Sequence, residues 1–157
     1  MVSTGDEAPT FTAPLADGDV DSFTLDDRLD EAPIVLAFFP GAFTGVCTHE
    51  MNTFQDRLGE FSDAGATVYG VSIDTPFSQN EFKEKLGLEF DLLSDTNREI
   101  IDEWDISMDF AELGVDGVAK RSVFVIDGDG VVQYAWVSDD PGVEPDYDEV
   151  IDAVQSI

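Results

Sequence analysis

The chain alternates between short continuous runs of apolar residues and stretches in which apolar residues recur every three to four positions. A continuous apolar run that ends at a turn residue, as residues 34–39 do at Pro40, is typical of a strand buried on both faces. Apolar runs predict strands at residues 34–39, 67–73, 92–93, 122–126 and 131–137. The last two flank Asp127-Gly128-Asp129-Gly130, which indicates a hairpin turn, and residues 10–25 predict another hairpin near the N-terminus.

Helical spacing of apolar residues fills most of the remaining chain. It predicts one helix after Val46 that ends at Gly65, one from Thr75-Pro76 to Gly87, a short one at 100–104 and one at 147–154. Residues 105–119 have no clear period and stay unassigned. Strands that alternate with helices, followed by a late hairpin and a closing helix, predict a single α/β domain over residues 1–157 with a mixed sheet.

The net charge is strongly negative, because 7 Lys and Arg stand against 35 Asp and Glu, which gives −28. Acidic residues alternate with well-formed apolar segments, so they indicate an acidic surface on a folded domain. Such a surface repels nucleic acid and anionic membranes, and neither is expected as a partner. It is similar to the surfaces of halophile proteins, whose self-repulsion is screened where molar salt shortens the Debye length to about 3 Å. An ordinary acidic protein is the alternative.

Targeting and cofactor signals are absent from the pattern. The first seven residues contain no basic region followed by an apolar run, and residues 34–39 are too few to span a membrane, so we expect a cytoplasmic protein. Cys47 is the only cysteine and His49 the only histidine. They allow neither an intramolecular disulfide nor a structural zinc site, and no metal or other cofactor is expected. The turn at 127–130 lacks the glutamate that closes an EF-hand loop.

Cys47 follows a predicted buried strand and stands at the start of a predicted helix. Helix N-termini offer unpaired backbone N–H groups and a partial positive charge, which favour a nucleophilic thiolate over a thiol. A lone cysteine is also commonly an inert buried side chain. Placement alone leaves both interpretations open.

Spacing favours the reactive interpretation. Pro40, Thr44 and Cys47 match the pattern P-x-x-x-T-x-x-C, and Arg121 stands directly before the predicted strand at 122–126. These two motifs, in this order, resemble the active-site segments of the peroxiredoxin family, of the alkyl hydroperoxide reductase and bacterioferritin-comigratory type. The resemblance covers nearly the whole chain. It implies a thioredoxin-like fold with a central mixed β-sheet flanked by helices and an N-terminal β-hairpin, whereas the pattern alone leaves other α/β folds open.

The resemblance implies a thiol peroxidase in which Cys47 attacks hydrogen peroxide or a small organic hydroperoxide and becomes a sulfenic acid. Thr44 is then expected to offer its hydroxyl to peroxide and thiolate, Arg121 to supply guanidinium donors, and Pro40 to pack over the sulfur. Backbone N–H groups at Val46 and Cys47 would complete the oxyanion-binding set. A turn proline, a capping threonine and a surface arginine are the structural alternatives.

Glu50 and His49, close to Cys47 in the sequence, are further candidates. In relatives a glutamate at the position of Glu50 helps to orient the arginine, and the alternative is an acidic residue in the first helical turn that suits the helix dipole. His49 suggests the hypothesis of a cysteine–histidine dyad like that of thiol hydrolases. Residues two apart on a helix do not face each other, so a surface histidine is expected instead.

One position departs from the family pattern. Related bacterioferritin-comigratory proteins often carry a resolving cysteine five residues after the first, where this chain has Asn52. The resemblance therefore implies a one-cysteine subtype whose sulfenic acid is reduced by an external thiol or a thioredoxin-like protein. A peroxide sensor that relays oxidation to a partner through a mixed disulfide is the second hypothesis.

Apolar residues in the unassigned stretch suggest an interface. Met108, Phe110, Leu113 and Val115 predict a homodimer contact, which is common in the family. A well-packed loop explains them nearly as well.

Overall fold

The computed structural model describes residues 1–157 as nine strands and five α-helices. The strands are β1 (Thr12–Ala16), β2 (Val20–Thr24), β3 (Ile34–Phe38), β4 (Thr67–Ser72), β5 (Asp91–Ser94), β6 (Ser107–Phe110), β7 (Val115–Ala119), β8 (Ser122–Ile126) and β9 (Val132–Val137). The helices are α1 (Gly45–Asp56), α2 (Leu58–Asp63), α3 (Pro76–Leu86), α4 (Glu99–Glu103) and α5 (Tyr147–Gln155). Short 3-10 segments cover Leu25–Glu31 and Ala111–Leu113. Crossing a membrane demands a longer and more apolar helix than any of these.

Seven strands form one sheet in the order β2-β1-β5-β4-β3-β8-β9. The pairs β3–β4 and β4–β5 are parallel, and the other pairs are antiparallel. β3 lies inside the sheet and is buried at every position, as its continuous apolar run predicts. The sheet is therefore mixed, with an N-terminal hairpin at one edge, which confirms the predicted architecture.

The pleat of β3 divides the core into two clusters, because alternate residues of a strand point to opposite faces. Leu36 and Phe38 pack in one cluster with Trp104 and the side chains of α4. Ala37 packs in the other cluster with Cys47, under α1, α2, α3 and α5. Cys47 is thus built into the core that joins α1 to the sheet.

The helix predicted up to Gly65 is in fact two helices, which is a correction. The helix is interrupted at Arg57, whose φ of −104° and ψ of 9° lie outside the helical region. α1 therefore ends before Arg57, and α2 begins after it. Phe54 and Phe61 still pack together across the break, with ring centroids 5.8 Å apart. The helical spacing of apolar residues survives because both pieces cover the same face of the sheet.

The unassigned residues 105–119 form an antiparallel ribbon of β6 and β7, separate from the main sheet. Its register shifts between Met108 and Phe110. Gly114 and Gly117 have positive φ angles of 66° and 70°, which favour glycine. β6 alternates polar and apolar residues over only four positions, and these irregularities interrupt the alternation beyond it, so the pattern is too short to identify the strands. The ribbon leads directly to Arg121.

Candidate active site

The sheet brings together residues that are far apart in the sequence. β3 and β8 pair in antiparallel register with Phe38 opposite Ser122. The chain therefore leaves β3 for α1 at the same edge where Arg121 enters β8. Nη2 of Arg121 lies 3.2 Å from the sulfur of Cys47, although the two residues are 74 positions apart. The arginine and the cysteine of the two sequence motifs meet as predicted.

Cys47 lies in the first turn of α1 and is fully buried. The N–H groups of Gly45, Val46 and Cys47 have no acceptor within α1, because no helical turn precedes them. Their partial positive charge and the guanidinium of Arg121 both favour a negative charge on the sulfur. A donor directed at the sulfur distinguishes Cys47 from an inert core cysteine.

Arg121 is 1% exposed, so the alternative of a surface arginine is wrong. Its Nη1 donates to Oε1 of Glu50 at 2.7 Å, and its Nε and Nη2 donate to the carbonyl of Pro141 at 3.2 and 2.9 Å. Burial lowers the pKa of Arg121, but the negative charges of Glu50 and Cys47 outweigh it and leave the pKa above its ordinary value. The guanidinium is therefore a fixed positive charge with a single orientation.

Glu50 lies in the second turn of α1, not in the first as expected. It is fully buried, and its Oε2 has no hydrogen-bond partner. Burial raises the pKa of Glu50 to about 7, against the opposing effect of Arg121. The helix dipole does not explain a buried acid at this position. The ion pair with Arg121 explains why an acid is buried here, and it is compatible with the expected role of Glu50 in orienting the arginine.

The loop between β3 and α1 carries Pro40 and Thr44. Pro40 is buried and Thr44 is half-buried. The Thr44 hydroxyl donates to the carbonyl of Gly41 at 2.9 Å and makes no cap bond to α1, so the alternative of a capping threonine fails. Thr44 and Arg121 line the same cleft. The hydroxyl is bonded to Gly41 and not to the sulfur of Cys47.

Asp74 fixes this loop and was missed by the sequence analysis. Its Oδ2 accepts from the backbone N–H of Ala42 at 2.8 Å and from the hydroxyl of Ser72 at 2.7 Å. In the same loop Phe43 has a φ of 67°, a conformation that bulky residues rarely adopt and that costs of order 1–3 kcal/mol. An acidic residue just after a buried strand was the available signal for Asp74.

The segment after β9 closes the site from outside. It provides the Pro141 carbonyl that holds Arg121, and then Glu144, whose Oε1 accepts from the Tyr147 hydroxyl at 2.6 Å and lies 2.7 Å from Nδ1 of His49. Burial raises the pKa of Glu144, but its bonds with Tyr147 and His49 bring it below its usual value. His49 is 70% exposed and pairs away from the sulfur, which confirms a surface histidine and excludes the dyad. Pro141 acts through its backbone and gave no sequence signal.

A cleft of about 580 Å³ opens over the site. Thr44, Val46 and Arg121 line its inner wall. Its outer wall comes from β6, the adjoining 3-10 segment and the turn after β9, and contributes the apolar residues Met108, Phe110 and Leu113 and the acidic residues Asp109, Glu112 and Asp140. The cleft therefore opens to solvent beside Arg121.

Known proteins are similar to this chain in both sequence and fold. The model of the AhpC/TSA family matches residues 4–135. A chloroplastic 2-cysteine peroxiredoxin of Chattonella marina var. antiqua is 37% identical over 145 residues, which cover 87% of this chain and 71% of that protein. A chloroplastic peroxiredoxin Q of Oryza sativa subsp. japonica is 36% identical over 135 residues, covering 86% of this chain and 59% of that protein.

A solved structure shows the same architecture. The crystal structure of peroxidoxin BcpB from Mycobacterium tuberculosis superimposes with a TM-score of 0.87 at 29% identity, covering 100% of this chain and 99% of that one. This agreement confirms the thioredoxin-like fold. With a family match that extends over most of the sequence and an arginine directed at the sulfur of its single cysteine, the chain belongs to the AhpC/TSA family of peroxiredoxins and is a thiol-dependent peroxidase.

Proposed function

We propose that the chain is a one-cysteine peroxidase that reduces hydrogen peroxide and small organic hydroperoxides through Cys47 alone. The contact of 3.2 Å between Arg121 and the sulfur carries this proposal. The thiolate attacks one peroxide oxygen, and a sulfur–oxygen bond forms as the oxygen–oxygen bond breaks. The other oxygen leaves as hydroxide or alkoxide and takes a proton from solvent. Cys47 is oxidised to a sulfenic acid, and the peroxide is reduced to water or an alcohol.

The proposed roles follow from where negative charge moves. During attack the charge passes from the sulfur to the leaving oxygen, and donors already in place stabilise it without reorganisation. Arg121, on the inner wall of the cleft, supplies guanidinium donors, and the N–H groups of Val46 and Cys47 add backbone donors. The Thr44 hydroxyl, on the same wall, donates to the peroxide after it turns away from the Gly41 carbonyl. Buried Pro40 limits the access of water to the sulfur.

Regeneration needs a second molecule, because the chain has no other cysteine. A donor thiol attacks the sulfenic sulfur and releases water, which leaves a mixed disulfide with Cys47. A second thiol then attacks the donor sulfur, frees Cys47 and forms a donor disulfide. The donor is an external small thiol or a thioredoxin-like protein. Since the sulfur is fully buried, the first turn of α1 has to move outward to admit it.

Stopped-flow mixing with hydrogen peroxide tests the proposal. We expect fast loss of one thiol per chain and a Cys47 peptide that carries one added oxygen by mass spectrometry, with Cys47→Ser as the unreactive control. Steady turnover with a simple thiol supports a scavenging enzyme. Oxidation without turnover, together with mixed disulfides to one partner, would support the peroxide sensor. A rate no faster than that of free cysteine rejects both.

The ribbon of β6 and β7 is the proposed homodimer contact. Leu113 is 50% exposed, and an apolar side chain of this size is stabilised when a second copy covers it. Val115 is paired with Phe110 in the ribbon, is partly buried and lies outside the cleft lining. Analytical ultracentrifugation in high salt should show a dimer, and a clean monomer removes the proposal.

We place the activity in the cytoplasm, because donor thiols are kept reduced there. Cell fractionation should find the protein in the cytoplasmic fraction.

The acidic surface supports adaptation to molar salt. The chain has only 7 Lys and Arg for 35 acidic residues. Even where one cation pairs with two carboxylates, as Arg57 does with Glu60 and Asp148, most of the acidic residues have no cation to pair with. Their mutual repulsion destabilises the fold in dilute buffer and is screened at high ionic strength. We expect the melting temperature to rise by about 10 °C between about 0.1 M and about 2 M KCl. A flat or falling melting temperature contradicts this.

A further inference from the structure

The cleft over the active site is larger and more apolar than hydrogen peroxide requires. Its volume is about 580 Å³, whereas a water molecule occupies about 30 Å³ in the liquid and hydrogen peroxide little more. Met108 and Phe110 are partly buried along its outer wall, and Leu113 is half exposed at its rim. Apolar side chains offer no hydrogen bond to a peroxide. They favour a ligand that carries an apolar substituent.

The charges of the cleft are unbalanced. Asp109, Glu112 and Asp140 line it, and its single cation, Arg121, is already bonded to Glu50 and Cys47. The carboxylate of Asp109 accepts the N–H of Gly117 at 3.1 Å, and that of Asp140 accepts the N–H of Gly142 at 2.8 Å, so both are held in place. The entrance therefore has a negative potential with no free positive group to receive an anion.

We propose that this cleft binds uncharged organic hydroperoxides in preference to those that carry a carboxylate. The apolar substituent lies against Met108, Phe110 and Leu113 while the peroxide oxygens reach the donors of the inner wall. A carboxylate on the substituent would face Asp109, Glu112 and Asp140 instead of a cation. This inference rests on the proposed peroxidase function and names its preferred substrate class.

A matched pair of substrates tests the charge selection. Cumene hydroperoxide and its para-carboxylate have the same hydroperoxide group and differ by one negative charge. We expect Cys47 to react about tenfold faster with the uncharged compound at about 0.1 M salt. The ratio should fall to about twofold at about 1 M salt, because the Debye length shortens from about 10 Å to about 3 Å. Circular dichroism first verifies that the protein is folded at each salt concentration.

Charge variants assign the effect to the cleft. The double variant Asp109→Asn with Glu112→Gln should reduce the tenfold ratio to about threefold. The control variant Asp17→Asn with Glu84→Gln removes the same net charge on a distant surface and should leave the ratio unchanged. Leu113→Ala should lower the rate with cumene hydroperoxide relative to hydrogen peroxide by about threefold, because apolar contact is lost.

The outcomes separate the two proposals. If hydrogen peroxide fails to oxidise Cys47, the proposed function fails. If hydrogen peroxide reacts rapidly but the two cumene compounds react equally at low salt, only the selectivity is overturned. The proposed dimer contact uses the same ribbon, so the two proposals also compete. If the rate with cumene hydroperoxide rises on dilution of the protein, a second copy covers the cleft and the selectivity is overturned.

Discussion

The two walls of the cleft are built in different ways. On the inner wall Arg121 is 1% exposed, and directly behind it Cys47 and Glu50 are fully buried. Contacts of 2.7–3.2 Å join Arg121 to both. The outer wall belongs largely to the ribbon of β6 and β7, which stands apart from the main sheet and presents partly exposed side chains. The proposed reactivity and the proposed selectivity therefore reside on separate elements. Changes on the inner wall should alter the rate with every peroxide, and changes on the outer wall should alter only the ratios among peroxides.

The largest effect is expected on the inner wall, from Arg121→Lys. An ammonium group cannot reproduce the planar set of donors that reaches the sulfur, Glu50 and the Pro141 carbonyl together. We expect the rate of Cys47 oxidation to fall about 10³-fold with hydrogen peroxide and organic hydroperoxides alike. Stopped-flow kinetics on the folded variant measures this, and Arg57→Lys is the matched control because Arg57 contacts only surface carboxylates. A loss below tenfold would assign the reactivity to the N-terminus of α1 instead.

The next effect concerns the buried charge of Glu50. Its pKa is raised from 4.5 to about 7 by burial, so the folded state binds this proton more tightly than the unfolded state. The resulting stabilisation is complete below pH 4.5 and is lost as the pH rises through about 7. Glu50→Gln cannot titrate. The unfolding free energy of the wild type should therefore fall by about 3 kcal/mol relative to the variant as the pH rises across this window.

Chemical denaturation at several pH values from acid to neutral measures that difference. Glu84→Gln, at an exposed position, serves as the control and should run parallel to the wild type. Parallel curves for Glu50→Gln as well would mean that the ion pair with Arg121 offsets the effect of burial, so that the pKa of Glu50 stays at its ordinary value of 4.5 in the folded state. The buried pair of Glu50 and Arg121 would then be fully charged at neutral pH.

The sequence predicted the inner wall far better than the outer one. The continuous apolar run of β3 and the proline and glycine that bound α3 are local signals, and the structure places both elements as predicted. Cys47 and Arg121 were paired by the resemblance of two motifs, because nothing local in a sequence indicates a contact over 74 positions. The register of β3 against β8 supplies that contact.

The residues that the sequence did not reveal act through the backbone or through strand order. Pro141 holds Arg121 by its carbonyl, which every residue type possesses. Asp74 reaches Ala42 only because β4 lies beside β3 in the sheet. The ribbon of β6 and β7 interrupts its own alternation with a register shift and two glycines of positive φ. The contacts of Pro141 and Asp74 are tertiary, so no period in the sequence could show them, and the alternation of β6 is only four residues long.

A smaller effect is expected from Asp74→Ala, which loosens the loop that carries Thr44. Loss of the bond to Ala42 leaves the strained Phe43 without support, and we expect the rate with all peroxides to fall about tenfold. Asp74→Asn retains an acceptor oxygen and should recover most of the rate. Asp127→Ala is the control, because Asp127 also accepts backbone N–H groups, but in the distant β8–β9 turn. It should lower stability without lowering the rate. Equal rates for all four proteins would show that the loop needs no anchor.

The smallest effect is expected from His49→Gln, although His49 is only two positions from the nucleophile. Its ring is 70% exposed and faces Glu144, and exposed ion pairs of this kind contribute about 0–1 kcal/mol. The rate of Cys47 oxidation should therefore stay within about twofold of the wild type from acid to neutral pH. A hundredfold loss would restore a histidine base and would contradict the division between the walls. The loss of rate is therefore expected to be far larger for Arg121→Lys than for His49→Gln. The rate depends on groups that contact the reacting atoms in the fold, and nearness along the chain does not provide such a contact.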